Sequence, residues 1–536
     1  MSGTDRIAMG SFYREASMTH LASATETSAR STRRLRTLGV ALSGGIVLAC
    51  GTTAGAAGPP PPIDELTAVD AVQAICEGRL ASQALMQAYL ERARARPDLN
   101  AFITLDEAQA LRAARAADTS RSARGKCLPL DGLPIVVKDN IHVAGLRNTA
   151  GTPALKDFEP NADAPVVRKL RDAGAIVMGK TNMHELAFGI SGYNMAFKTG
   201  ESYGVRNAYD PTRMAGGSSS GNGAAIGARI APAGIGTDTG GSVRIPCAFN
   251  GCAALRPTVG RYPQSGITPI SHTRDTAGPM AVSMHDVELL DRVISGEPPV
   301  QPADPRSVRL GVVAPLYADL DDDTRASTDA ALAKLRAAGV TLVDVEMPQL
   351  MELNGRIGFP LALFEAYDDV AGYLKHYSTG VTLEQLAAQI ASPDVKGTYE
   401  NLVLPRKLPG PDGTTVDARP VYESAMREAR PALQKLYADT FAQHRLDGIV
   451  FPTVPAVAMP AGPESSSVEN FVRYIRNTDP GSNAGVPGIT LPVALGATTR
   501  LPVGLEVDGP AGGDRRLVAI GMTLEKVFGR LTPPGR

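Results

Sequence analysis

Two glycine-rich segments constrain this chain more than anything else in it: MAGGSSSGNGAA at 214–225 and GIGTDTGGSVRIP at 234–246. Glycine at this density lets backbone N–H groups approach a ligand closely, so anion binding is the first chemistry to weigh. A phosphate loop needs GxxxxGK[ST], yet Gly216 to Gly221 is followed by Asn222 and Gly223. Without the lysine that reading is set aside. The second segment fits acyl transfer better. A strand ending at Gly236 runs into a tight turn, Thr239-Gly240-Gly241-Ser242, whose successive amides could converge on one oxyanion beside the Ser242 hydroxyl. A serine that only caps the helix starting near Val243 would have the same geometry, so the turn alone does not separate capping from catalysis.

A nucleophilic serine needs a base. The seven histidines (His20, His142, His184, His272, His285, His376, His444) are scattered, and no GxSxG elbow surrounds Ser242. His272 with Asp275 is the best Ser-His-Asp candidate. Lysine can serve instead if desolvation lowers its pKa toward neutrality. Lys138 stands at the end of LPIVV, a β-branched apolar run that reads as a buried strand, and Ser218 would bridge it to Ser242.

Around these segments the chain reads as α/β. Leu66, Val69, Val72 and Ile75 recur at helical steps, and Leu85 to Ala95 and Asp106 to Ala117 carry their own stripes. Val166, Val167 and Leu170 mark a helix stopped by Gly174, followed by the strand Ala175 to Met178 and by Thr181 as the N-cap of a next helix. Helices are expected near 224–228, 325–338, 382–391 and 420–444, and strands at 232–236, 448–451, 488–493 and 503–507. Strand, helix, strand in this order predicts a mixed or parallel sheet wrapped by helices. No linker interrupts 63–536, which is expected to be one catalytic domain with a helical cap region at 350–440. A net charge of -1 and the lack of a basic stripe with interleaved aromatics give no support for nucleic-acid binding.

Residues 1–50 differ from the rest. Arg30, Arg33, Arg34 and Arg36 precede an apolar stretch, Leu38 to Leu48, too short for the ~20 residues a bilayer span needs. This order predicts an export signal. Val47-Leu48-Ala49-Cys50 resembles a lipobox, making Cys50 a candidate lipid anchor, while Arg33-Arg34 resembles a twin-arginine signal. Residues 51–62 read as a flexible Gly/Pro tether. The protein is thus expected in the periplasm, or on the membrane as a lipoprotein. Cys76, Cys127, Cys247 and Cys252 show no zinc spacing and read as buried free thiols, although an oxidising compartment would permit disulfides.

GLPIVVKDN, GGSSSG and GTDTGGSVRIP, in this order, resemble the amidase signature family of Ser-cisSer-Lys hydrolases. The resemblance covers about residue 63 to the end, including SHTRDTAGPM (271–280) and NAGVPGITLPV (483–493). It implies a central mixed twisted β-sheet covered by helices on both faces. Its lysine falls on Lys138, its bridging serine on Ser218 and its nucleophile on Ser242. Ser218, Ser219 and Ser220 are consecutive, and the spacing to Ser242 selects the first. The resemblance further implies an oxyanion hole from Thr239, Gly240, Gly241 and Ser242, with Asp238, Arg244 and Ser219 in support; Asp238 and Arg244 could equally be a structural ion pair. No cofactor or metal is implied. The reaction is hydrolysis of a small-molecule carboxylic amide through an acyl-enzyme.

Within the family, APVVRKLRDAGAIVMGKTNMHELAFGI, TRDTAGPM and LPVGLEVDGPAGGDRRL look most like mandelamide and indoleacetamide hydrolases. Peptide amidase, aryl-acylamidase and carbamate or ester hydrolase stay open. An amidotransferase subunit of a tRNA pathway conflicts with the export signal, and an exported anion-binding protein is the non-enzymatic alternative. The oligomeric state is not fixed by the sequence, and a homodimer stays open.

Overall fold

A computed structural model describes residues 62–200, 202–410 and 414–535. The expected export signal with Cys50, and the expected tether up to residue 61, lie outside the described residues. The described residues form thirteen strands: β1 Phe102–Thr104, β2 Pro134–Lys138, β3 Ile176–Thr181, β4 Ala233–Asp238, β5 Ala253–Arg256, β6 Thr276–Ala281, β7 Arg309–Val312, β8 Thr341–Asp344, β9 Lys407–Pro409, β10 Thr415–Asp417, β11 Gly448–Pro452, β12 Gly488–Leu495 and β13 Pro502–Asp508. Eleven of them make one sheet in the order β1-β3-β2-β4-β6-β5-β12-β13-β11-β7-β8, while β9 and β10 pair apart. β2 runs parallel to both β3 and β4, whereas β4 and β6 are antiparallel, so the sheet is mixed.

The apolar run of β2 follows from its place. It lies between two parallel neighbours and all five of its residues are buried, as expected of a strand covered on both faces. Helices flank the sheet. On β13, Val507 pairs with Ile489, which a side chain added at Gly521 of the helix Asp514–Phe528 would strike; Gly504, three residues earlier, abuts Ala248 of the helix Arg244–Asn250. Residues an odd number apart on a strand face opposite ways, so these two helices cover opposite sides.

Several sequence expectations need correcting. Thr181 caps no helix: it is the last residue of β3, its hydroxyl donates to the Asn222 side chain, and only a single 3-10 turn, Glu185–Ala187, comes after it. The 350–440 region is mostly helical, over Leu350–His376, Leu383–Ala388, Pro393–Thr398 and Ala418–Ser424, and also holds the β9–β10 pair; the helix Arg430–His444 runs past its end. The four described cysteines are not free thiols. Cys76 is bonded to Cys127 and Cys247 to Cys252.

The Cys76–Cys127 bridge spans a sequence separation of 51, and cross-linking a loop of that length removes roughly 4 kcal/mol of denatured-state freedom. Cys76→Ser/Cys127→Ser is therefore expected to unfold at clearly lower temperature than the oxidised parent, by about 2–4 kcal/mol at the transition. Coincident melting curves would show that the bridge adds no stability.

Candidate active site

Lys138 ends β2 with its side chain fully buried. Its Nζ donates to Ser218 Oγ (2.7 Å) and to Thr237 Oγ1 (2.7 Å), and among the described residues makes no ion pair with a carboxylate. Asn140 Nδ2 donates to the same Thr237 oxygen (3.2 Å). Burial pulls the Lys138 amine down to about 7, against the weaker opposing pull of Asp238 and Asp275. The amine therefore exchanges its proton near neutrality.

Ser218 follows a cis peptide bond from Gly217, and its carbonyl accepts from the His184 amide (3.2 Å). Next comes the helix Ser220–Gly227, whose small residues allow it to lie directly on the chain: a Cβ on Gly221 would be 2.3 Å from the Ala101 carbonyl. Ser219 ties the two glycine segments together. Its hydroxyl donates to the Thr237 carbonyl (3.1 Å) and accepts from the Thr237 amide (3.2 Å), while its own amide donates to the Ser242 carbonyl (3.1 Å). Lys138, Ser218 and the Ser242 turn are thereby brought together from three separate parts of the sequence.

The turn itself is built around Asp238, which is fully buried at the end of β4. Its carboxylate accepts from the amides of Gly241 (2.8 Å) and Val243 (3.1 Å), from Arg244 Nε (3.0 Å) and Nη2 (3.0 Å), and from Arg256 Nη1 (2.9 Å). Burial alone would raise its pKa, but the two guanidinium groups hold it below the usual carboxylate range. Arg244 also reaches Glu506, Ser482 Oγ (2.7 Å) and the Thr478 carbonyl (3.1 Å). Asp238 and Arg244 are thus an ion pair that shapes the turn.

One expected oxyanion donor differs. The Gly241 amide is turned to Asp238, whereas the carboxylate engages none of the amides of Thr239, Gly240 or Ser242. Glycine is required at 241: φ is +146° and a Cβ would lie 2.3 Å from Thr478 Oγ1. Thr478 Oγ1 donates to the Gly240 carbonyl (2.5 Å), and Thr239 Oγ1 donates to Asp275 (2.6 Å). These two contacts pin the turn from outside.

Thr239, Gly240 and Ser242 open into a cavity of about 320 Å³ walled largely by apolar side chains, among them Phe188, Ile190, Ile270, Phe359 and Phe471. Its size and lining suit a small apolar ligand with a few polar anchors. His272 is no base for Ser242. Its ring is exposed and pairs with Asp369, and Asp275 receives Thr239 instead. Sequence reasoning passed over Thr237, Asn140, Arg256, Thr478 and Glu506. Thr237 lies inside the GTDTGG motif, and the alternation of β4 was the one signal that could have placed its hydroxyl beside Lys138.

A family model described as Amidase matches residues 84–518. The chain is 49% identical over 472 residues to a mandelamide hydrolase of Pseudomonas putida, covering 88% of this chain and 93% of that protein. It is 40% identical over 452 residues to an indoleacetamide hydrolase of Agrobacterium vitis, covering 83% and 93%. A crystal structure of an amidase superposes with a TM-score of 0.73 at 33% identity, covering 87% of this chain and all of the other.

Removing Arg244 would leave Asp238 and Glu506 buried with lost charge compensation, which typically costs about 3–5 kcal/mol. Arg244→Met is expected to lower the denaturation midpoint by that order; a midpoint equal to the parent's would show that the pair does not support the fold.

Proposed function

The chain belongs to the amidase signature family, and from that premise we propose that Ser242 attacks the carbonyl of a primary arylacetamide, with Ser218 and neutral Lys138 as its proton relay. The protein is a hydrolase acting on carbon–nitrogen bonds of linear amides, and an acyl-enzyme route fits its family. The observation that carries the residue roles is the Lys138–Ser218 contact of 2.7 Å, buried, without a carboxylate partner among the described residues, and tied to the turn that presents Ser242.

In the neutral amine, one lone pair accepts the Ser218 proton while an N–H remains for Thr237. Ser218 in turn takes the Ser242 proton as Oγ bonds to the carbonyl carbon. Negative charge then develops on the carbonyl oxygen, where the turn amides that Asp238 does not engage, those of Thr239, Gly240 and Ser242, stabilise it. The proton returns through Ser218 to the nitrogen, ammonia leaves, and water repeats the sequence on the acyl-enzyme to release the acid.

The arylacetyl preference rests on the similarity to mandelamide and indoleacetamide hydrolases and on the aromatic walls of the cavity. We assign this chemistry to residues 63–536. Ammonia release from mandelamide or indoleacetamide, abolished in Ser242→Ala, is the expected result. Lack of release from any primary arylacetamide would sink the substrate assignment, and undiminished release by Ser242→Ala would sink the nucleophile. In the same assay kcat/KM should climb as pH rises through about 7 and then level, because the base is the deprotonated form of a lysine whose pKa is lowered to about 7. A profile that falls over that interval would exclude Lys138 as base.

Export, with lipid attachment at Cys50, is also proposed. Two disulfides in the folded region suit an oxidising compartment. Fractionation should find the full chain with the membrane and Cys50→Ser in the soluble periplasm; recovery of both in the cytoplasm would refute export.

A further inference from the structure

Gly240 is held on one side by hydrogen bonds and on the other by packing. Its peptide bond to Gly241 is fixed at both ends, since the Gly240 carbonyl accepts from Thr478 Oγ1 (2.5 Å) and the Gly241 amide donates to Asp238 (2.8 Å). The preceding peptide bond carries the Gly240 N–H, and Thr239 Oγ1, bonded to Asp275 (2.6 Å), anchors its far end. Glycine has no side chain to restrict rotation between the two peptide planes. What restricts it is whatever lies against the Cα. A Cβ placed there would come within 2.8 Å of Ile475 Cδ1, 3.1 Å of Asp479 Oδ1 and 3.2 Å of Arg274 Nη2.

Arg274 and Asp479 close on each other as a buried ion pair in the cavity wall. Both are fixed from several directions. Arg274 Nη1 donates to the Gly358 carbonyl (2.8 Å), and the Arg274 amide donates to the Ser271 carbonyl (2.9 Å). Its own carbonyl accepts from Arg256 Nη2 (2.8 Å), the arginine whose Nη1 bonds Asp238 (2.9 Å). Asp479 Oδ2 accepts from Asn483 Nδ2 (3.0 Å). Because Asp479 follows Thr478, two consecutive residues meet Gly240, one at its carbonyl and one at its Cα. Taking two charges out of water is unfavourable, and apolar residues of similar volume in place of a buried pair often leave stability unchanged or raise it. Stability alone therefore does not account for this pair.

We propose that Arg274 and Asp479 are positioning residues: their ion pair, lying against the Cα of Gly240, keeps the Gly240 N–H aimed at the oxyanion that forms beside Ser242. Neither touches the reacting atoms. Without the pair the Thr239–Gly240 peptide is free to turn, and a displacement of about 1 Å at a reacting centre can cost on the order of a hundredfold in rate. The inference rests on the Ser242 acyl-enzyme reading, and it adds the groups that fix one donor of the oxyanion hole. That donor acts on the tetrahedral oxyanion more than on the planar amide, so its loss falls on kcat and leaves KM in place.

The test uses Arg274→Met/Asp479→Leu, which removes both charges together and strands neither, beside Arg274→Lys, which keeps the charge but not the planar fork. With phenylacetamide the double variant should lose on the order of ten- to a hundred-fold in kcat per folded protein, with KM close to the parent's. Arg274→Lys should lose less. Phenylacetaldehyde gives a second readout, since Ser242 adds reversibly to its carbonyl carbon and the carbonyl oxygen takes the place of the oxyanion. Its inhibition constant should rise by the factor by which kcat/KM falls, while that of 2-phenylethanol, which forms no adduct, stays as in the parent. Parent kcat in the folded double variant, or equal weakening of aldehyde and alcohol, would overturn the assignment and leave the Ser242 reading intact. So would a rise in KM without a fall in kcat, which would make the pair part of the acyl pocket. If the double variant does not fold, the same comparison is made on Arg274→Lys, where parent values of kcat and of the aldehyde constant would overturn the assignment. A parent that neither turns over an arylacetamide nor binds the aldehyde would overturn the Ser242 reading and this inference with it.

Discussion

Protonating Lys138 in the folded protein places an ammonium where water is excluded and no carboxylate of the described residues makes contact, so the amine gives up its proton near neutrality. On the next strand burial also pulls the amine of Lys180 down, against the opposing pull of Asp139. Lys180, one position out of register on β3, is equally buried but lies 3.4 Å from Asp139 and also donates to the Arg147 carbonyl (3.0 Å) and Asn148 Oδ1 (3.2 Å). Two lysines on neighbouring strands thus share their burial and differ in their partners. Hydroxyl oxygens, which can both accept and donate, surround the first; a fixed carboxylate and carbonyls surround the second.

That arrangement holds only if the turn above Lys138 stays rigid, and rigidity comes from the ionic centre behind it. Asp238 gathers two backbone amides and two arginines, and Arg244 carries the connection on to Glu506 on β13 and to Ser482. A buried network of this kind is of doubtful net value for stability but can specify one conformation. Here the conformation specified is the one that turns the Gly241 amide inward and leaves its neighbours facing the cavity.

What was legible in the sequence was local. The β-branched run of β2 and the lysine at its end, the glycine turn at Ser242 and the small-residue helix after Ser218 each declare their backbone geometry within a few residues. Contacts across long separations were not legible. Thr237 matters because parallel pairing of β2 with β4 sets it beside Lys138, and His184 meets Asp394 only after the segment near 390 folds back. The same limit explains the cysteines: no spacing rule says that Cys76 should meet Cys127. The short strands β5 to β8 and the helix Asp514–Phe528 also went unassigned, since brief apolar runs are ambiguous without their neighbours.

The cavity walls and the proton relay come from different stretches of chain. The proposed relay occupies 138, 218 and 237–242, whereas much of the wall comes from 187–190, 358–363, 394–398 and 466–475. Such a division lets acyl preference drift independently of the reaction. Duplicated copies of a gene like this one can diverge in diet, taking up new amides from the surroundings one wall residue at a time while the hydrolytic step is inherited unaltered.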